Sequence, residues 1–85
     1  MQRFEYTVKD PIGIHARPAG ILVKFVQSMN SDITIECNGK KADAKKILAV
    51  MGLCAKCSDT LSVSVSGDAE EQDAKALKAF LEKNL

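Results

Sequence analysis

The chain has 85 residues, of which 46% are hydrophobic and 27% are charged, and its formal net charge is +1. This length supports one hydrophobic core, so we expect a single domain over residues 1–85, and the composition excludes a disordered protein. The near-neutral charge argues against nucleic-acid binding, and no apolar run approaches the roughly 20 residues that span a bilayer.

Two features indicate a cytoplasmic protein without direct membrane insertion. The first nine residues alternate charge and bulk, and they lack the apolar centre of a signal peptide. The cysteines number three, and an odd count favours reduced thiols over a fully paired disulfide framework.

Alternating apolar and polar residues predict four strands, each with one buried face. The predicted strands cover residues 3–9, 33–37, 40–43 and 61–66. Asn38 and Gly39 connect the second and third strands as a hairpin, because both residues tolerate the positive φ of a type I′ turn.

Apolar residues spaced by three and four predict three helices. The first two cover residues 16–29 and 45–53, and the third begins near Asp68, whose spacing to Glu71 is typical of a capping box. Its expected core stripe is Ala74, Leu77, Phe80 and Leu81. The order β-α-β-β-α-β-α predicts an α/β (α+β) two-layer open-faced sandwich. Its four-stranded, mainly antiparallel sheet would be covered on one face by three helices.

The only histidine, His15, lies at the predicted start of the first helix, within Gly13-Ile14-His15-Ala16-Arg17-Pro18-Ala19-Gly20. The first turn of a helix has free amides and a partial positive charge. A phosphate on His15 would therefore meet the amides of Ala16 and Arg17, with the Arg17 side chain sharing its charge. The same field would lower the imidazole pKa and favour the neutral, nucleophilic ring. On these residues alone, the favoured reading is a histidine that only caps the helix, with incidental Arg and Pro neighbours.

The sequence resembles HPr, the histidine-containing phosphocarrier family of the bacterial phosphoenolpyruvate–sugar phosphotransferase system. The resemblance rests mainly on the heptapeptide at residues 13–19 and extends over the whole chain. Further matching segments are residues 38–40, 44–45, 47–53 and 67–71. It implies that His15 accepts a phosphoryl group on Nδ1 from phosphorylated enzyme I and passes it to the IIA components of sugar transporters. Arg17 would help to hold the phosphate. The protein would be a carrier rather than an enzyme, without cofactor or metal.

The second predicted helix is apolar nearly all round, through Ile47, Leu48, Val50, Met51 and Leu53. Periodicity alone favours packing of all these side chains in the core. The resemblance implies instead that Ile47, Leu48 and Met51 lie beside the active histidine and contact both partners. The flanking residues would be Gly20, Lys24, Gln27 and Lys46, with Lys40 and Lys45 completing a basic rim. A carrier that presents one face to several partners is expected to be a monomer.

Two positions depart from the family pattern. Many Gram-positive relatives have a regulatory serine that a kinase phosphorylates at position 46, where this chain has Lys46. Lysine cannot form the phosphoester, so that regulation does not transfer, although an HPr-like regulatory binding module stays a second hypothesis. Cys54 and Cys57 form a CxxC motif, and the family usually has glycine at the first of these positions. Incidental thiols, a redox-sensitive loop and a metal site are the open readings.

Overall fold

A computed structural model describes residues 1–14 and 16–85. In chain order the elements of these residues are β1 (Gln2–Thr7), α1 (Ala16–Gln27), β2 (Asp32–Cys37), β3 (Lys40–Asp43), α2 (Ile47–Gly52), β4 (Thr60–Ser66) and α3 (Glu70–Asn84). The strands form one antiparallel sheet with the order β1-β4-β2-β3. The predicted element order and the antiparallel pairing are both confirmed.

The sheet has one buried and one exposed face, as the alternating sequence predicts. Ile35 on β2 lies between Val63 on β4 and Ala42 on β3, and all three side chains are buried. The next row toward the hairpin contains Glu36, opposite Ser62 and Lys41, on the open face. A shift of register by one residue would expose the apolar row, so the pattern specifies the pairing.

The helices complete the core on the buried face of the sheet. The inward side chains of α1 are Leu22, Val23 and Val26, and those of α3 are Ala74, Leu77 and Leu81. Phe80, predicted as a core residue, is only partly buried: it packs against the core and stacks on Phe25 of α1, with ring centroids 4.2 Å apart. Among residues 1–14 and 16–85, the helices are too short or too polar to cross a membrane.

The β2–β3 hairpin has the predicted turn. Asn38 and Gly39 have φ angles of 52° and 81°, the left-handed conformation that both central residues of a type I′ turn require. The strands on either side are bounded by Cys37 and Lys40, which pair in register.

The first two helices are shorter than their apolar patterns predict. The amides of Ser28 and Met29 donate to carbonyls only three residues back, so α1 closes in a tight turn after Gln27. At the start of α2, the Lys45 amide donates to the Asp43 carboxylate at 2.9 Å. This side-chain turn holds the backbone outside the helix until Ile47.

The predicted capping box at the start of α3 is wrong. The N-cap residue is Ala69 rather than Asp68, and no side chain caps this end of the described helix. Glu70, Glu71 and Asp73 instead place negative charge in the first turn, where it interacts favourably with the helix dipole.

Candidate functional site

The start of α1 places the predicted phosphate-binding residues at an exposed helix end. Ala16 and Arg17 are the first two residues of the helix and are exposed, whereas Pro18 and Ala19 behind them are buried. Amides in a first helical turn have no partner within their own helix and point toward the N-terminal side. His15 lies outside the described residues, so the predicted lowering of its pKa stays a prediction.

The segment before position 15 is held tightly. Ile14 is buried, and its amide donates to the Ala55 carbonyl at 2.9 Å. Gly13 has a φ of 80°, and a Cβ at this position would lie 2.8 Å from Cα of Lys56. Only glycine fits this close approach, so the backbone conformation just before α1 is tightly constrained.

Residues 54–59, which we call the support loop, hold that segment in place. Val8 exchanges backbone hydrogen bonds with the loop: its amide donates to the Asp59 carbonyl at 2.9 Å, and its carbonyl accepts from Ser58 at 2.8 Å. The Asp59 carboxylate accepts from the Lys56 amide at 2.9 Å and from the Asn38 side chain at 3.2 Å. The loop thus connects the end of β1, the hairpin and the start of α1.

Sequence reasoning pointed to the two cysteines of the support loop but missed the loop's contacts with the segment before α1. The loop's backbone contacts with this segment join residues more than 40 positions apart, such as Ile14 and Ala55, and no local periodicity encodes them. Two residues in the sequence could have pointed to these contacts: Gly13 in the matched heptapeptide and Asp59 just before β4. Neither signal identifies its partner.

The apolar residues of α2 divide between two faces. Val50 and Leu53 are 0% and 2% exposed and belong to the core, whereas Ile47, Leu48 and Met51 are 41%, 82% and 37% exposed. Core packing of all five, which periodicity alone favours, is therefore wrong. Because the helix has only six residues, few of its side chains can point into the core at once, and the other apolar side chains stay at the surface.

Direct contacts join α1 to α2. A Cβ on Gly20 would lie 3.7 Å from Cδ1 of Ile47, which is ordinary van der Waals contact, so position 20 faces the start of α2. Gln27 donates from Nε2 to the Lys45 carbonyl at 3.0 Å. The predicted partner-binding residues Gly20 and Gln27 are therefore brought beside α2.

The basic rim differs from its prediction at Lys45. Its Nζ donates to the Met29 carbonyl at 2.9 Å, in a partly buried contact just beyond the end of α1. Lys45 therefore connects the two helices instead of presenting a free charge. Lys24 on α1 and Lys46 before α2 are exposed, and Lys40 is exposed at the β2–β3 hairpin.

The cysteines occupy two different environments. Cys37 is buried in the sheet, where desolvation, together with the nearby negative charge of Asp59, raises the pKa of its thiol. Cys54 and Cys57 are free and exposed in the support loop. Within residues 1–14 and 16–85, no group of three or more His, Cys, Asp or Glu residues could hold a metal ion.

Comparison with known proteins points to one family. The family described as "PTS HPr component phosphorylation site" matches residues 2–83. The phosphocarrier protein HPr of Mycoplasma genitalium is 36% identical over 85 residues, covering 99% of this chain and 97% of the relative. The HPr of Lysinibacillus sphaericus is 41% identical over 81 residues, covering 95% and 92% of the two chains.

Solved structures agree with this similarity. The crystal structure of HPr-C-His from Thermoanaerobacter tengcongensis matches with a TM-score of 0.92 at 33% identity, covering 99% of this chain and 94% of that one. A second structure from the same organism, described as an HPr dimer, matches with a TM-score of 0.75 at 34% identity. It covers 98% of this chain and 95% of that one. The monomeric state expected for this chain therefore stays a prediction.

Proposed function

The chain belongs to the HPr family of phosphocarrier proteins, and on that premise we propose that His15 is its phosphorylated residue. His15 accepts a phosphoryl group on Nδ1 from phosphorylated enzyme I and donates it to the IIA components of sugar transporters. As a member of this family the protein is a carrier rather than a catalyst. The partners supply the remaining groups of each transfer site.

The observation that carries this proposal is the start of α1 at Ala16, directly after His15 in the chain. We infer from this chain order that a phosphate attached at position 15 would meet the first-turn amides of Ala16 and Arg17. Those amides and the positive end of the helix dipole favour an anion. The exposed Arg17 guanidinium adds a full charge and can donate two parallel hydrogen bonds to phosphate oxygens.

The transfer itself is an in-line displacement at phosphorus. The Nδ1 lone pair of His15 forms a new N–P bond while the bond from phosphorus to the donor breaks, and the donor keeps that electron pair. Donation to IIA repeats the step with His15 as the leaving group. Both steps depend chiefly on positioning and charge neutralisation, and the positive end of the α1 dipole together with Arg17 contributes to the second.

The partners bind at what we call the docking face, formed by Gly20, Lys24, Gln27, Lys46, Ile47, Leu48 and Met51. Its exposed apolar centre on α2 is the part that folding does not bury. Lys24 and Lys46 lie around this centre as exposed cations. An apolar centre with a basic edge suits acidic partner surfaces and gives fast, salt-sensitive association.

Lys46 separates this carrier from relatives that are regulated through a serine at the same position. It is the exposed N-cap residue of α2 and makes no side-chain capping bond there. Its amine cannot form a phosphoester, so we do not propose a serine-kinase switch. We propose a monomeric, cytoplasmic carrier, and its mass in solution tests the first of these properties.

The relay is tested with phosphoenolpyruvate, a compatible enzyme I and a IIA acceptor, followed by intact mass. We expect the native chain to gain one acid-labile phosphoryl group and to lose it when IIA is added. His15→Ala is expected to gain none while keeping its thermal unfolding transition. Stoichiometric phosphorylation of His15→Ala would contradict the site. A native chain that stays unmodified, with an enzyme I shown to be active on another HPr, would contradict the function.

A further inference from the structure

The support loop carries two exposed thiols on either side of its contact with the site. Cys54 and Cys57 are separated by Ala55 and Lys56, the two residues against which Gly13 and Ile14 pack. The segment so contacted leads directly into position 15 and α1. A change in the distance between the two thiols therefore acts on the backbone that positions the site.

The two cysteines are attached to different functional elements. The Cys54 amide donates to the Met51 carbonyl at 3.1 Å, so this residue continues directly from the docking helix α2. Its φ of 52° turns the chain away from the helix. Cys57 Sγ lies 3.8 Å from the Lys9 carbonyl oxygen, in the connection between β1 and α1. A bond between the two sulfurs would link the end of α2 to that connection.

We propose that Cys54 and Cys57 form a reversible disulfide that displaces the support loop and slows phosphoryl acceptance. The consequence for acceptance rests on the proposed function, whereas the disulfide and the loop displacement do not. The oxidant is a low-molecular-weight disulfide of the glutathione class. Thiols buried like Cys37 are inaccessible to it, so the third cysteine serves as an internal control.

The chemistry is two successive thiol–disulfide exchanges. The thiolate of one cysteine attacks a sulfur of the small disulfide, forming a mixed disulfide and releasing one small thiol. The thiolate of the other cysteine then attacks the protein sulfur of the mixed disulfide and releases the second small thiol. The protein loses two hydrogens and two electrons, and the small disulfide gains them as two thiols. A thiol reductant reverses both steps.

Geometry makes the site sensitive to this bond. A disulfide holds its two Cα atoms about 4.4–6.8 Å apart, which constrains the two residues between them. Lys56 packs so closely against Gly13 that a Cβ at position 13 would lie 2.8 Å from the Lys56 Cα. Movement of the support loop away from Gly13 would lengthen the 2.9 Å hydrogen bond from the Ile14 amide to the Ala55 carbonyl. The Ile14 amide therefore reports on the displacement independently of phosphorylation.

The first experiment asks whether the bond forms. The full-length protein is equilibrated with glutathione buffers from reducing to oxidising, alkylated, and analysed by intact mass and peptide mapping. We expect the native chain and the Cys37→Ala variant to lose two hydrogens and to yield a Cys54–Cys57 cross-linked peptide. Cys54→Ser and Cys57→Ser are expected to form no internal bond. Glutathione adducts alone, intermolecular dimers alone, or a bond that requires Cys37 would overturn the proposal.

The second experiment asks whether the bond acts on the site. Hydrogen exchange at the Ile14 amide and the initial rate of phosphorylation by enzyme I are measured on oxidised and reduced protein. We expect exchange at Ile14 to accelerate, and the acceptance rate to fall at least about fivefold, with full recovery after reduction. In Cys54→Ser treated identically, we expect no change in the exchange rate of the Ile14 amide or in the rate of phosphorylation. Equal values for oxidised and reduced protein would overturn the proposal. If reduced protein accepts no phosphate, the proposed function fails, and the Ile14 exchange still decides whether the disulfide displaces the loop.

Discussion

Helices α2 and α3 pack on the same side of the sheet but use their apolar residues differently. On α3, which has 15 residues, Ala74, Leu77 and Leu81 are buried and the exposed positions are mostly charged. On α2, which has six, Leu48 is 82% exposed while Val50 is fully buried. The first pattern is explained by folding alone. The second leaves apolar surface that folding does not use, and such surface is typical of binding sites.

The two helices also differ in how their ends are stabilised. The first turn of α3 contains three acidic residues, and Lys83 lies in its last turn, so its charges complement the helix dipole. The described ends of α2 have no such charges and no capping side chain. Contacts from α1 and the turn after it hold the start of α2 instead, through hydrogen bonds from Gln27 to the Lys45 carbonyl and from Lys45 to the Met29 carbonyl. The end charges of α3 therefore stabilise that helix from within, whereas the start of α2 relies on hydrogen bonds involving neighbouring segments.

The largest expected effect is on folding, and it separates the two helices. Leu77→Ala on α3 removes a fully buried side chain and is expected to lower the free energy of unfolding by about 2–5 kcal/mol. Leu48→Ala on α2 is expected to change it by less than about 0.5 kcal/mol, because that side chain is mostly in solvent. Urea unfolding of both variants measures the difference. Similar losses in the two would contradict the division between scaffold and docking face.

Charge reversal at the start of α1 is expected to act on transfer rather than on folding. Arg17→Glu replaces an exposed cation beside the proposed phosphate with an anion. Because the variant loses charge-assisted hydrogen bonds, each contributing about 1.5–3 kcal/mol, we expect transfer to be roughly 10- to 100-fold slower. Lys78→Glu on α3 is the matched control, with an expected change below about twofold. Rates of phosphorylation by enzyme I decide the point. Equal rates in the two variants would remove Arg17 from the mechanism.

An acidic residue at the centre of the docking face tests the apolar contact itself. Leu48→Asp is expected to slow phosphorylation by enzyme I about tenfold, which corresponds to about 1.4 kcal/mol of lost association energy. The slowing should appear at low protein concentration and diminish at saturation, as expected for weaker docking. Ala79→Asp makes the same kind of change at an exposed position of α3 and should leave transfer intact. If Ala79→Asp slows transfer as much, the partners use α3 as well.

The smallest expected effect concerns the support loop. Cys54 has a φ of 52°, a conformation that costs a residue with a Cβ about 1–2 kcal/mol. Cys54→Gly removes that cost but adds freedom to the unfolded chain, so a net stabilisation of about 0.5–1 kcal/mol is expected in thermal unfolding. Cys57→Gly relieves no positive φ and is expected to destabilise. The reverse order of the two variants would contradict the strain at Cys54.

Local patterns in the sequence account for most of the fold. The alternation of β1, β2 and β4 predicts both the strands and the open face of the sheet. The left-handed pair Asn38 and Gly39 predicts the hairpin. These features depend on neighbours in the chain, and their physics is local. The boundaries of α1 and α2 were less predictable, since they depend on a tight final turn and on the Asp43 carboxylate.

Periodicity fails for apolar residues that stay exposed and for contacts between distant parts of the chain. It places Ile47, Leu48 and Met51 in the core, because apolar residues normally lie there, and only the family resemblance predicts their exposure. The attachment of Lys45 to Met29, and of the support loop to Gly13 and Ile14, joins distant parts of the chain. Asp68 has the spacing of a capping residue, yet acidic residues in the first turn act in its place.

The most direct test is to map where enzyme I binds. Unphosphorylated protein labelled with ¹⁵N is titrated with enzyme I, and the backbone amide signals are followed by NMR. We predict that the largest shifts belong to the start of α1, to Lys24 and Gln27, and to α2, while the exposed residues of α3 stay unchanged. Shifts centred on α3 or on the open face of the sheet would contradict the assignment of the docking face.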